Sequence, residues 1–131
     1  MTPITAPQGQ AGEPVIRAMM MPRDTNYHGT IFGGIILSLI DQAAGVCAAL
    51  RAHSGVVTLK LNEVIFHEPV FVGDLVSVYA EVLGVGRTSI KVRTEVYAHR
   101  RDEGVPVHVT SAELVFVAIG KDRRPIPVPP E

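Results

Sequence analysis

From Gly33 to Ala52 the chain carries no proline and little polarity: before Arg51, its polar members are only Ser38, Asp41 and Gln42. Mostly Ile, Leu and Ala, the run predicts a helix, and one apolar nearly all round belongs inside a protein. That constrains everything else. A single layer of strands buries such a helix only by curling around it, with a second subunit pairing alongside.

The remaining segments supply the strands. Residues 14–20 read as a short first strand, followed by a loop, "PRDTNYHGT", dense in turn-formers. After the helix, "HSG" marks its end, with Gly55 available as the stop. Residues 56–66 alternate Val57, Leu59 and Leu61 against Thr58, Lys60 and Asn62, a strand period. Segments 75–85, 87–99 and 107–119 are three further long strands joined by hairpin-length connectors. The order is strand, buried helix, then four antiparallel strands: an α+β fold in which the sheet wraps a central helix. Residues 1–13 read as a loose leader, 14–122 as one domain and 123–131 as a proline-rich tail.

Composition narrows the function classes. A net charge of −1 gives no electrostatic case for nucleic acid or an anionic membrane. The leader has no basic segment followed by an apolar one, so it does not read as a signal peptide. The longest apolar stretch stops at Asp41, short of a membrane span. Cys47 is the only cysteine, which rules out an intrachain disulfide and fits a reducing cytoplasm. A hydrophobic share of 47% exceeds what one small core needs and points to a subunit interface.

Asp41 is the residue that needs explaining. Gly34, Ser38, Asp41, Gly45 and Ala48 fall near one helix face, so small residues surround the carboxylate and another body can approach closely. At the helix start, Gly33 and Gly34 offer backbone N–H groups with no intrahelical partner and no Cβ in the way. That geometry suits the oxygen of a polarised carbonyl. Plainer readings stand beside these: Asp41 as a structural buried acid, Gly33-Gly34 as a packing device, Asn26 as a turn residue, His28 as an exposed loop histidine, and Cys47 as buried filler. His67 and Glu68 read as turn structure before Pro69. No His, Cys or acid pair has metal-ligand spacing, and no phosphate-loop or serine-hydrolase pattern occurs.

The run Asp24-x-Asn26-x-x-Gly29-x-x-Phe32-Gly33-Gly34-x6-Asp41 resembles the signature of the hot-dog acyl-CoA thioesterases, in particular the bacterial YciA-like hydrolases. The likeness continues through "VVTLKLNEVIFHEPVFVGDLV", "GRTSIKVRTEV" and "KDRRPIPVP", covering roughly residues 15–128. The resemblance implies a hot-dog fold, dimers assembled into tetramers or hexamers, and hydrolysis of fatty acyl-CoA without metal or cofactor. It carries the essential acid onto Asp41, the loop asparagine onto Asn26 and the carbonyl-polarising amide onto Gly33 or Gly34. Arg87, Thr88 and Ser89 become candidates for holding coenzyme A. Many relatives have His-Gly-Gly at the helix start; here the first position is Phe32, and His28 does not inherit that role. A desolvated Asp41, its basicity raised by burial, would act as general base on water or attack the carbonyl itself. The alternatives on the same fold are a dehydratase and a non-catalytic acyl-CoA-binding regulator.

Overall fold

The computed structural model describes residues 12–131. Strand β1 (Ile16–Met19) and a short 3-10 turn (Pro22–Asp24) lead into helix α1 (Gly33–Ala52). Strands β2 (Gly55–Phe66), β3 (Leu75–Val85), β4 (Ser89–His99) and β5 (Val107–Ile119) follow. All pairings are antiparallel, and the five strands lie in the order β1-β3-β4-β5-β2. α1 packs against β2, β3, β4 and β5. This is the α+β wrap expected. Apart from Gly12 and Glu13, the leader lies outside the described residues.

The alternation of β4 sorts its side chains by face. Ile90, Val92, Thr94, Val96 and Ala98 are buried, whereas Lys91 and Arg93 between them are exposed. Together with Leu114, Phe116 and Ala118 of β5, the apolar set meets Ile36, Ile40, Ala44 and Ala48 of α1. One face of the helix is therefore sealed. The other is open: Val46 and Leu50 remain exposed, Leu50 at 72%. The expectation of a helix buried on every side fails for the single chain, because a five-stranded sheet reaches round only one side of it.

Three further details correct the sequence reading. His53 ends α1 in the left-handed conformation (φ 55°), its N–H donating to the Ala49 carbonyl at 2.9 Å. Histidine is among the residues enriched at positive φ, and Gly55 already belongs to β2. The third long strand starts at Ser89 rather than 87, because Gly86 N–H donates to the Ser89 carbonyl and closes the hairpin turn first. In β2 the apolar members of the alternation are not the sheltered ones. Val57, Leu59 and Leu61 are exposed, Leu59 at 61%. Register shifts between Thr58 and Lys60 and between Leu61 and Glu63 break the alternation, and among the described residues β2 is an edge strand with no neighbour beyond it.

The turn joining β2 to β3 is braced from inside. Buried Asp74 accepts the Phe71 N–H at 2.9 Å and stands 3.4 Å from Arg100 Nε. Arg100 also donates to the Pro69 carbonyl at 2.7 Å and lies over the Phe71 ring. The same turn holds the loop before the helix, since Ile31 N–H donates to the Val70 carbonyl at 2.8 Å. The proline-rich tail is docked as well: Ile126 N–H bonds Ala118, Val128 N–H bonds Arg87, and Arg51 reaches the Pro129 carbonyl.

Candidate active site

Asp41 sits about two turns into α1, ~11 Å along its axis. One oxygen, Oδ1, accepts a 2.6 Å hydrogen bond from the Thr58 hydroxyl of β2. Thr58 pairs with Phe116, whose ring is buried, so it lies at the level where β2 faces the helix. Sequence reasoning missed Thr58, which there is only one polar member of an alternating strand. Nothing in local spacing marks a contact across seventeen residues. In the single chain Asp41 is exposed, contrary to the expected burial, because it lies on the uncovered helix face.

Asp41 and Thr58 stand on the wall of an open groove of about 500 Å³ between α1 and β2. Gln42, Gly45, Val46 and Ala49 extend the helix side, Val56 the strand side, and Phe116 lines it from β5. The small-residue face is thus shifted from the expected one. Gly34, Ser38 and Asp41 are exposed and Gly45 is half-buried, but Ala48 is fully buried and Ala49 takes its place on the groove.

Asn26 lies elsewhere, in the loop before the helix. Its Oδ1 accepts the backbone N–H groups of His28 and Thr30 at 2.8 and 3.1 Å, while its Nδ2 donates to the Thr30 hydroxyl. The side chain builds its own turn, with Gly29 at φ 85° and Tyr27 fully outward at the tip. Among the described residues no hydrogen bond joins Asn26 to Asp41 within one chain. At the helix start, Phe32 is the N-cap and offers no capping side chain, so Gly33 and Gly34 lie exposed at the positive end. A Cβ on Gly33 would press on the Phe66 ring at 3.4 Å; one on Gly34 would meet nothing.

Arg87 and Thr88 lie in the β3–β4 turn and Ser89 opens β4; the Thr88 carbonyl accepts the Ala118 N–H. Ser89, Val117 and Val57 share one level across β4, β5 and β2, which places this turn at the Thr58 end of the sheet. Cys47 is half-buried, and burial followed by the Glu81 charge pushes its thiol up, away from the reactive thiolate.

A second polar cluster lies on the outer sheet face. Ser111 donates to Glu95 at 2.8 Å and touches His108 and His67, while His108 Nε2 meets the same Glu95 oxygen at 2.6 Å. It is not a nucleophile relay. The same imidazole nitrogen faces both acid and hydroxyl, whereas a triad needs them on opposite nitrogens.

Residues 28–105 match the family model described as the thioesterase superfamily. The chain belongs to the thioesterase superfamily. It is 38% identical over 121 residues to the acyl-CoA thioester hydrolase YciA of Salmonella typhimurium, covering 90% of this chain and 91% of that one. An uncharacterized acyl-CoA thioester hydrolase of Zymomonas mobilis is 46% identical over 124 residues, 95% of this chain and 83% of the relative. These place it among the YciA-like acyl-CoA thioester hydrolases, an enzyme family. A hexameric hotdog fold thioesterase of Campylobacter jejuni superposes with a TM-score of 0.86 at 43% identity, covering 90% of this chain and 91% of that one. The fold is therefore the hot-dog fold. An acyl-CoA hydrolase of Staphylococcus aureus has been solved as an Asp-to-Ala and as an Asn-to-Ala variant. Both are 29% identical to this chain and cover 87% of it, with 70% and 68% of their own length matched and TM-scores of 0.81 and 0.83. The two replaced positions lie fifteen residues apart, as Asn26 and Asp41 do here.

Proposed function

We propose that this thioesterase hydrolyses fatty acyl-CoA to the free acid and coenzyme A, in a site that two copies of the chain build together. The observation that carries the reading is the Asp41 carboxylate, held by Thr58 at 2.6 Å on the wall of an apolar groove. With Oδ1 bonded to Thr58, Oδ2 is left to act. As general base it takes a proton from water while the water oxygen attacks the thioester carbonyl carbon. As nucleophile it attacks that carbon itself and forms a mixed anhydride, which water then opens. In both routes the carbonyl oxygen gains negative charge, and the Gly33 or Gly34 N–H of the partner chain stabilises it, the same chain's helix start lying ~11 Å from Asp41. The C–S bond breaks, and the coenzyme A thiolate leaves and takes up a proton.

The second copy enters through the β2 edge. Val57, Leu59, Leu61, Ile65 and Phe66 there, and Val46 and Leu50 of α1, are apolar and exposed. An exposed hydrophobic edge of this kind pairs or aggregates. Pairing by a two-fold axis lays the partner's Asn26 loop on the open helix face, removes Asp41 from water and gives each dimer two equivalent sites. The hexamer of the Campylobacter relative supports a trimer of such dimers. Arg87, Thr88 and Ser89 of the β3–β4 hairpin are the candidates for holding the coenzyme A moiety. Cys47, a free thiol, suits a reducing cytoplasm.

The direct test is thiol release from a panel of acyl-CoAs, C4 to C18, with and without EDTA. Release from some of the panel, unchanged by EDTA, is expected. Binding without release from any of them would replace the enzyme reading with that of an acyl-CoA-binding regulator.

Thr58→Val, which keeps the shape and removes the hydroxyl, is expected to lower kcat about 10- to 100-fold, the scale of one hydrogen bond to a charged group. Thr58→Ser should restore most of that loss. A Thr58→Val enzyme with native kcat would remove Thr58 from the site.

A further inference from the structure

We propose that the absent side chain at Gly45, above the Phe116 ring, sets the length of acyl chain that this enzyme accepts. The inference rests on the thioesterase reading and goes on to say where the hydrocarbon lies. The groove that carries Asp41 and Thr58 is polar only at their end. Beyond them it is lined by Gly45, Ala49, Val56 and the Phe116 ring. A thioester whose carbonyl carbon sits at Asp41 has an apolar tail to bury, and this stretch is the apolar surface that begins at the carboxylate.

The helix supplies a ruler. Gly45 is one turn past Asp41, ~6 Å along the axis, and Ala49 two turns, ~12 Å. An extended chain advances ~1.2 Å per bond, by the geometry that gives a backbone ~3.6 Å for three. A tail following the groove thus passes Gly45 after about five bonds and reaches Ala49 after about ten. At Gly45 the helix has no side chain, and the space that one would fill is bounded by Phe116. A Cβ built there stands 3.7 Å from Phe116 Cε2, an ordinary contact. Alanine therefore fits without moving the backbone, yet it occupies the path of the tail. Valine occupies more of it.

The substitution separates specificity from damage. Alanine is a better helix former than glycine, so Gly45→Ala should melt no lower than the native enzyme. Steady-state kinetics on C4 to C16 acyl-CoAs are compared for native, Gly45→Ala and Gly45→Val enzymes, with the mass of each assembly measured by light scattering. The expected result is a fall of about tenfold or more in the ratio of kcat/KM on C10 to that on C4, since excluding methylenes from an apolar pocket is felt at each one. Gly45→Val should shift the ratio further, and the assembly should keep its mass. An unmoved ratio overturns the proposal, as does an equal loss at every length. A variant that falls to monomers also overturns it, because the groove is then covered by the partner chain and not by the substrate. A native enzyme that hydrolyses no member of the panel defeats the thioesterase reading itself, a result distinct from any of these.

Discussion

Asp41→Asn is expected to cut turnover roughly 10³-fold, within the range for losing a general base, while leaving the fold and the assembly as they were. The amide keeps the volume and keeps an oxygen to accept the Thr58 hydroxyl, so the 2.6 Å bond survives the change. What it loses is the ability to take a proton or to attack at neutral pH. Because the amide keeps the hydrogen bond to Thr58, the one that Asp41 makes among the described residues, the melting temperature should move by no more than about 2 °C. A structural acid would behave in the opposite way, with a clear drop in melting temperature and most of the activity retained. Both quantities should be measured on one preparation.

Much of this fold is legible in the residues, and the reasons differ by element. α1 is readable to its ends because a proline-free run of Ile, Leu and Ala has nothing in it to stop a helix before His53. The strands 75–85 and 107–119 are readable because turn-formers bracket them on both sides. β2 is not readable in detail. Its two register shifts depend on how β5 runs beside it, and its exposed Val57 and Leu59 find no cover among the described residues.

The candidate site divides in the same way. Asp41 stands out as the lone acid in an apolar helix, and Gly33 and Gly34 as glycines where a helix begins. Thr58 does not stand out, since its role arises only when β2 folds back onto α1 and sets a hydroxyl against the carboxylate. The placement of Asp41 in water was also hidden. A composition apolar on every side says that the helix is covered, but not whether its own sheet or another chain covers it. Asn26 poses the sharpest question, because its side chain is engaged in the turn at Thr30, with one Nδ2 hydrogen remaining, and makes no bond to Asp41 among the described residues. In the proposed site that turn belongs to the neighbouring subunit.

The two-chain site is tested most directly by mixing two inactive variants. Asn26→Ala and Asp41→Asn are co-expressed in equal amounts, and the purified assembly is assayed on the best acyl-CoA substrate. Random pairing makes about half of the dimers hybrids, and in each hybrid one site is intact and the other doubly damaged, by the symmetry of an isologous pair. About a quarter of native activity should return, from parents that have almost none. If Asn26 and Asp41 of one chain serve the same site, no hybrid contains an intact site, and a mixture as inactive as its parents would contradict the account.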